Sequence, residues 1–164
     1  SPSYILLVGY SYGSLITASA SADIPECIGC ISIAPPWSVQ HWLLLFHSSY
    51  HFNQSRKRDS LPKLFVIGDK DNFTPERAFQ NRIKTIPQST GAVLKEADHF
   101  FARREKDLMS VIGQWLLQTY PHQAEGSLSK LGHSEFHIQW NDLLHTKSSD
   151  DPGYDCAAAV CAAP

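Results

Sequence analysis

Three short stretches of this 164-residue chain hold residues that can act together on a carbonyl carbon. Gly9-Tyr10-Ser11-Tyr12-Gly13 sets a serine between two glycines, GDKDNFTP offers Asp69 and Asp71, and ADHFF offers His99. A serine hydroxyl is barely ionised near neutral pH, so it attacks only beside a base, and a histidine base needs a third group to hold its tautomer. Serine, carboxylate and histidine occur here in that order, which differs from the chymotrypsin and subtilisin orders. The chemistry they suggest is acyl transfer through a covalent serine intermediate.

Such residues work only if the elements around them bring them together. Tyr4 to Val8 is a short apolar run of strand character, Gly9 breaks it, and Ser14 to Ala22 is helix-compatible. G-x-S-x-G between strand and helix forces a tight turn, in which a side chain at Gly9 or Gly13 would collide with a neighbouring element. Ile28 to Ala34 reads as a second strand, closed by Pro35 and Pro36, and Leu64 to Ile67 as a third. Thr74-Pro75-Glu76 predicts a helix start with Thr74 as N-cap, followed by Phe79, Ile83 and Ile86 at helical spacing. Ala92 to Leu94 begins a fourth strand running toward Ala97. From Arg104 onward, Leu108, Val111, Ile112, Trp115 and Leu116 mark one face of a long helix. This alternation predicts an α/β fold, a mostly parallel sheet with helices on both faces. The stretch from Trp37 to Asp59 reads as a helix, a lid, or part of each. Residues 120–164 read as an irregular, flexible tail, with Phe136 to Leu144 as a short amphipathic piece.

Composition removes several classes of partner. With 14 basic and 16 acidic residues the formal charge is -2, so no basic field is available for nucleic acid or an anionic membrane. The apolar runs YILLV and WLLLF fall far short of the roughly 18 to 20 residues that span a bilayer, and the start of the chain lacks a signal-peptide pattern. A soluble, cytoplasmic protein is expected. Cys27 and Cys30 have the spacing of half a zinc ribbon, but no second pair of that spacing follows and Cys30 lies in an apolar run, so they read as small buried thiols. His133 and His137 are four apart, as metal ligands on a helix can be, without a convincing third ligand; His41, His47 and His51 read as surface or lid residues. Arg103 to Asp107 reads as the wet start of a helix, and Asp98 as a loop-shaping carboxylate. Phe100, Phe101, Tyr10 and Tyr12 flank the candidate site and suit either a substrate wall or a plain core.

Taken together, YILLVGYSYGSLITASA, the APP after the next strand, LFVIGDKDNFTP and EADHFFARREKDL resemble the carboxyl-terminal half of an α/β-hydrolase, similar to small soluble hydrolases related to dienelactone hydrolase and prolyl-peptidase-like enzymes. The resemblance covers roughly residues 4 to 118. It implies Ser11 as nucleophile, Asp71 rather than Asp69 as triad acid, His99 as general base, and the Tyr12 backbone N–H as one oxyanion donor. It also implies a small-molecule acyl substrate, an ester, thioester or amide, and no cofactor. In that family the strand before the serine is the fifth of about eight, so residues 1–119 are expected to form a fold truncated to its last four strands. The loop that carries the family's second oxyanion donor would then be missing, and the Tyr4 to Val8 edge would stand open to self-association. Two functions follow: a serine hydrolase of which this chain is a fragment, or an inactive remnant of the fold that serves as a protein-interaction module.

Overall fold

The computed structural model describes residues 4–38, 48–121 and 158–163. Strand β1 (Tyr4–Tyr10) runs directly into helix α1 (Tyr12–Ala20), and β2 (Cys27–Ile33) follows. After α2 (Ser48–Gln54) come β3 (Lys63–Gly68), α3 (Glu76–Ile83), β4 (Ser89–Leu94), the long α4 (Glu105–Thr119) and β5 (Ala158–Ala163). The sheet order is β4-β3-β2-β1-β5. Strands β1 to β4 pair in parallel, each with its sequence neighbour, with Leu7 opposite Cys30, Ile31 opposite Leu64 and Phe65 opposite Gly91.

Parallel strands covered on both faces should be apolar throughout, and β3 is buried at every position. Its side chains alternate. Leu64 and Val66 pack with Ile31, Phe101, Ile112 and Trp115 beneath α4, whereas Phe65 and Ile67 pack with Leu15, Trp37 and Phe79 beneath α1 and α3. Strand β1 divides the same way, with Leu6 and Val8 on the α4 side and Leu7 beside Ala18, Cys27, Cys30 and Leu61 on the other. Both apolar stripes read from the sequence therefore face the sheet, and helices cover both of its faces.

Two expectations need correction. The edge of β1 is not open, because β5 pairs with it antiparallel, Tyr4 opposite Ala163 and Gly9 opposite Ala158. The tail is accordingly not irregular over Ala158–Ala163. The physical reason is that a strand edge presents N–H and C=O groups, which any extended segment can satisfy whatever its side chains. Phe136 to Leu144, His133 and His137, and His41 and His47 in the stretch after Trp37, lie outside the described residues; the part of that stretch that is described forms α2 around His51.

The amino ends of the strands carry a buried charge. Lys63 is 1% exposed, and its Nζ donates to the carbonyls of Arg58 at 2.7 Å, Leu61 at 3.0 Å and Pro87 at 3.3 Å, which ties the entry to β3 to the turn before β4. Burial pulls its pKa below the ordinary 10.5. An amine whose folded pKa is lowered binds its proton more weakly in the native state, so stability from this group rises as pH climbs from that lowered value to 10.5. Replacing Lys63 by Met strands acceptors that a charged donor had satisfied, and is expected to cost about 2 kcal/mol at neutral pH. The wild-type minus Lys63→Met difference in unfolding free energy should grow as pH rises from the lowered Lys63 value toward 10.5. Urea denaturation at a series of pH values measures both, and a flat difference would remove the buried ammonium from the account.

Candidate active site

The serine turn is fixed from both sides. Ser11 adopts φ 51° and ψ -125°, a conformation that L-residues rarely take and that costs on the order of 1–3 kcal/mol. It is held by its N–H, which donates to the Ile33 carbonyl at 2.8 Å, and by its carbonyl, which accepts from the Ser14 N–H at 3.0 Å and the Ser14 hydroxyl at 2.6 Å. At Gly9 a Cβ would lie 2.5 Å from the Gly13 carbonyl oxygen and 2.4 Å from Thr17 Oγ1. Glycine is thus required where the strand passes the helix it feeds. Tyr12 is the first residue of α1, at the end of a helix where backbone N–H groups point outward.

Asp71 and His99 stand on the loops after β3 and β4, at the same end of the sheet. A Cβ at Gly68, the last residue of β3, would stand 2.1 Å from the Ala97 carbonyl oxygen. That close approach, with Asp69 N–H on the Leu94 carbonyl and Lys70 N–H on the Ala97 carbonyl (both 2.9 Å), lays the two loops side by side. Ser11 Oγ lies 2.9 Å from His99 Nε2, and His99 Nδ1 lies 3.0 Å from Asp71 Oδ2. The Asp71 side chain is fully buried and that of His99 is 7% exposed. The second carboxylate oxygen, Oδ1, accepts from the Phe73 N–H at 2.7 Å and the Thr74 N–H at 3.3 Å. Asp69 takes no part in this chain of contacts; its Oδ2 lies 3.8 Å from Lys95 Nζ.

Thr74 differs from its expected role. Helix α3 begins at Glu76 with Pro75 before it and no side-chain cap. The Thr74 hydroxyl, fully buried, donates instead to the Pro35 carbonyl at 2.6 Å and accepts from the Trp37 N–H at 2.8 Å. A capping hydroxyl and a cross-loop hydroxyl look alike in sequence, and the prolines after β2 supply the acceptor that decides between them. The acid loop is thereby latched to Trp37, which packs on Phe65 and Phe79 and lies beneath the Arg82 guanidinium.

The flanking aromatics separate into two groups. Phe101 is 2% exposed and belongs to the core beneath α4, with φ 54°. Tyr10 donates its hydroxyl to the His99 carbonyl at 3.1 Å; burial first, and then the negative charges of Asp71 and Asp98, push its phenol above the ordinary value, so it stays a donor. Asp98 shapes the histidine loop as expected, its Oδ1 accepting from the N–H groups of Phe100 and Ala102. Phe73 is a neighbour that sequence did not single out: its ring centroid is 4.2 Å from that of His99. The charge run resolves into an exposed Arg104–Asp107 pair at 3.0 Å at the start of α4. Cys27 and Cys30 are buried thiols, and burial pushes Cys30 up to about 12. Among the described residues no three His, Cys, Asp or Glu side chains are grouped to hold a metal, and no helix is long and apolar enough to cross a membrane.

No family model matches the sequence. The uncharacterized protein C959.06c of Schizosaccharomyces pombe is 30% identical over 125 residues, which cover 70% of this chain and 55% of that protein. Among solved structures, the esterase domain of a Rhodothermus marinus protein superposes with a TM-score of 0.57 at 17% identity, covering 69% of this chain and 60% of the other. XC6422 from Xanthomonas campestris, an α/β serine hydrolase without a lid, gives 0.51 at 26% identity over 69% of this chain and 46% of its own. The fold is that of the α/β hydrolases. The chain spans roughly half the length of the relatives it matches.

Within the α/β-hydrolase frame, the Thr74 latch makes a testable claim about rigidity. Thr74→Val keeps the volume and deletes the hydroxyl, leaving the Trp37 N–H and the Pro35 carbonyl with only the 2.9 Å bond between them. It should lower stability by about 1 kcal/mol, whereas Thr74→Ser should restore most of it. Thermal unfolding of the two variants compares them, and a valine variant as stable as wild type would mean that the hydroxyl holds nothing.

Proposed function

We propose that this α/β-hydrolase chain acts as a serine hydrolase on an ester, thioester or amide, with Ser11 as nucleophile, His99 as general base and Asp71 as the acid that orients it. The observation that carries the reading is the unbroken line from Ser11 Oγ to His99 Nε2 and from His99 Nδ1 to Asp71 Oδ2, at 2.9 and 3.0 Å, with base and acid both withdrawn from solvent. In this arrangement His99 Nδ1–H donates to Asp71, which leaves Nε2 with a lone pair for the serine proton. As Oγ bonds to the carbonyl carbon its proton passes to Nε2, and the carbonyl oxygen gains the negative charge. In this reading the Tyr12 N–H serves as a donor to that charge, a contact of a kind worth about 3 kcal/mol in the transition state. For the alternative, an inactive remnant serving as an interaction module, an open β1 edge was one surface on which a partner could pair, and β5 occupies that edge.

A fluorophosphonate probe read by peptide mass spectrometry tests the proposal directly. The adduct is expected on Ser11, absent in Ser11→Ala, and formed at least about a hundredfold more slowly in His99→Ala and Asp71→Asn. Labelling that ignores His99, or a folded chain that stays unlabelled, would return the protein to the remnant reading.

A further inference from the structure

We infer that Phe73 and Phe100 form the subsite for the leaving group, and that the alcohol half of the substrate is apolar and aromatic. The inference rests on Ser11 and His99 acting as proposed above. In acylation the serine oxygen bonds to the carbonyl carbon, the bond from that carbon to the alcohol oxygen breaks, and the departing oxygen takes its proton from His99 Nε2. The departing oxygen must therefore come within hydrogen-bond reach of Nε2, and the atoms attached to it must lie among the groups that surround the imidazole. Those groups are rings. Phe73 stands 4.2 Å from the imidazole centroid, tilted by 42°; Phe100 stands 5.4 Å away, edge-on at 88°; Tyr10 stands 5.6 Å away.

The exposure of these rings is what the core leaves unexplained. Phe100 is 70% exposed and Phe73 38%, although the next residue, Phe101, is fully used in packing. The backbone that carries each ring is tied down: the Phe73 carbonyl accepts from the Ser38 N–H at 3.1 Å and its N–H serves Asp71, while the Phe100 N–H serves Asp98. Asp98, whose Oδ1 accepts from two backbone N–H groups of its own loop, keeps its negative charge beside this rim. Two solvent-facing rings beside a general acid offer faces and edges to an apolar, aromatic group and little to an anionic one.

Single-turnover phosphorylation isolates the leaving group. Diethyl 4-nitrophenyl phosphate and diethyl phosphorofluoridate place the same diethylphosphoryl group on Ser11 and differ only in releasing nitrophenolate or fluoride. The ratio of their second-order rate constants should fall about fivefold in Phe100→Ala, with a fall in the same direction in Phe73→Leu. An unchanged or increased ratio in both variants overturns the subsite. So does a comparable change in the ratio of dibutyl to diethyl phosphorofluoridate, which would put the rings on the side of the retained group. If neither agent modifies Ser11 in the folded wild-type chain, the nucleophile assignment fails and the subsite falls with it.

Discussion

Parallel pairing of β1 to β4 makes each of these strands leave the sheet at the same end, and this single constraint gathers the site. Ser11 and His99 are 88 residues apart and Asp71 and His99 are 28 apart, yet each stands on the loop that follows a strand. Pairing sets only the approximate distance between those loops. The remaining ångströms are closed where backbones touch: β1 against the start of α1 at Gly9 and Gly13, and the exit of β3 against that of β4 at Gly68 and Ala97. Either contact, widened by one methyl group, would move a member of the Ser11–His99–Asp71 line by more than a hydrogen bond tolerates.

A carboxylate withdrawn from water is unfavourable unless its oxygens are occupied, and Asp71 has three donors for two oxygens. Two of them are backbone N–H groups of its own loop, so the loop's shape and the carboxylate's solvation are one property. Thr74 extends that property outward, since the residue that solvates Asp71 through its N–H also fastens the loop to Pro35 and Trp37 through its hydroxyl. Trp37 in turn belongs to the cluster beneath α1 and α3. The position of the acid is therefore continuous with the packing of one face of the sheet, which is how a rigid core is transmitted to a loop.

How much of this is legible in the sequence depends on how local each cause is. The strand, glycine, serine, glycine, helix pattern is local, and so are the runs that form β2, β3 and β4; they are readable because periodicity and turn residues act over a few positions. Asp69 and Asp71 follow the same strand two residues apart, and residue type alone does not separate them. What separates them is the Phe73 and Thr74 N–H groups, which fold back on Asp71. Thr74 as a latch and Gly68 as a point of contact rely on partners from other loops, and Lys63 as a buried donor takes one of its three acceptors, Pro87, from another loop. The pairing of Ala158–Ala163 is the extreme case, since it uses backbone groups that every sequence has.

Backbone strain follows the same division between the two ends of the sheet. Of the non-glycine residues with positive φ among those described, Ser11, Ala34, Glu96, Phe101 and Arg103 all lie past the carboxyl ends of β1, β2 and β4, and only Gln88 lies at an amino end. Even there the strain is anchored, because the Gln88 carbonyl accepts from the Lys63 N–H while Lys63 Nζ holds the carbonyl of Pro87. Residues in such conformations persist only where their surroundings over-determine them, and each one costs stability that the rest of the fold must supply. In this chain the less strained amino ends and the fully buried β3 supply it, while the more strained end presents Ser11, His99 and the two exposed phenylalanines. The strain at that end holds side chains at angles that relaxed loops would not hold, as the bond from Ser14 to the Ser11 carbonyl does for Ser11.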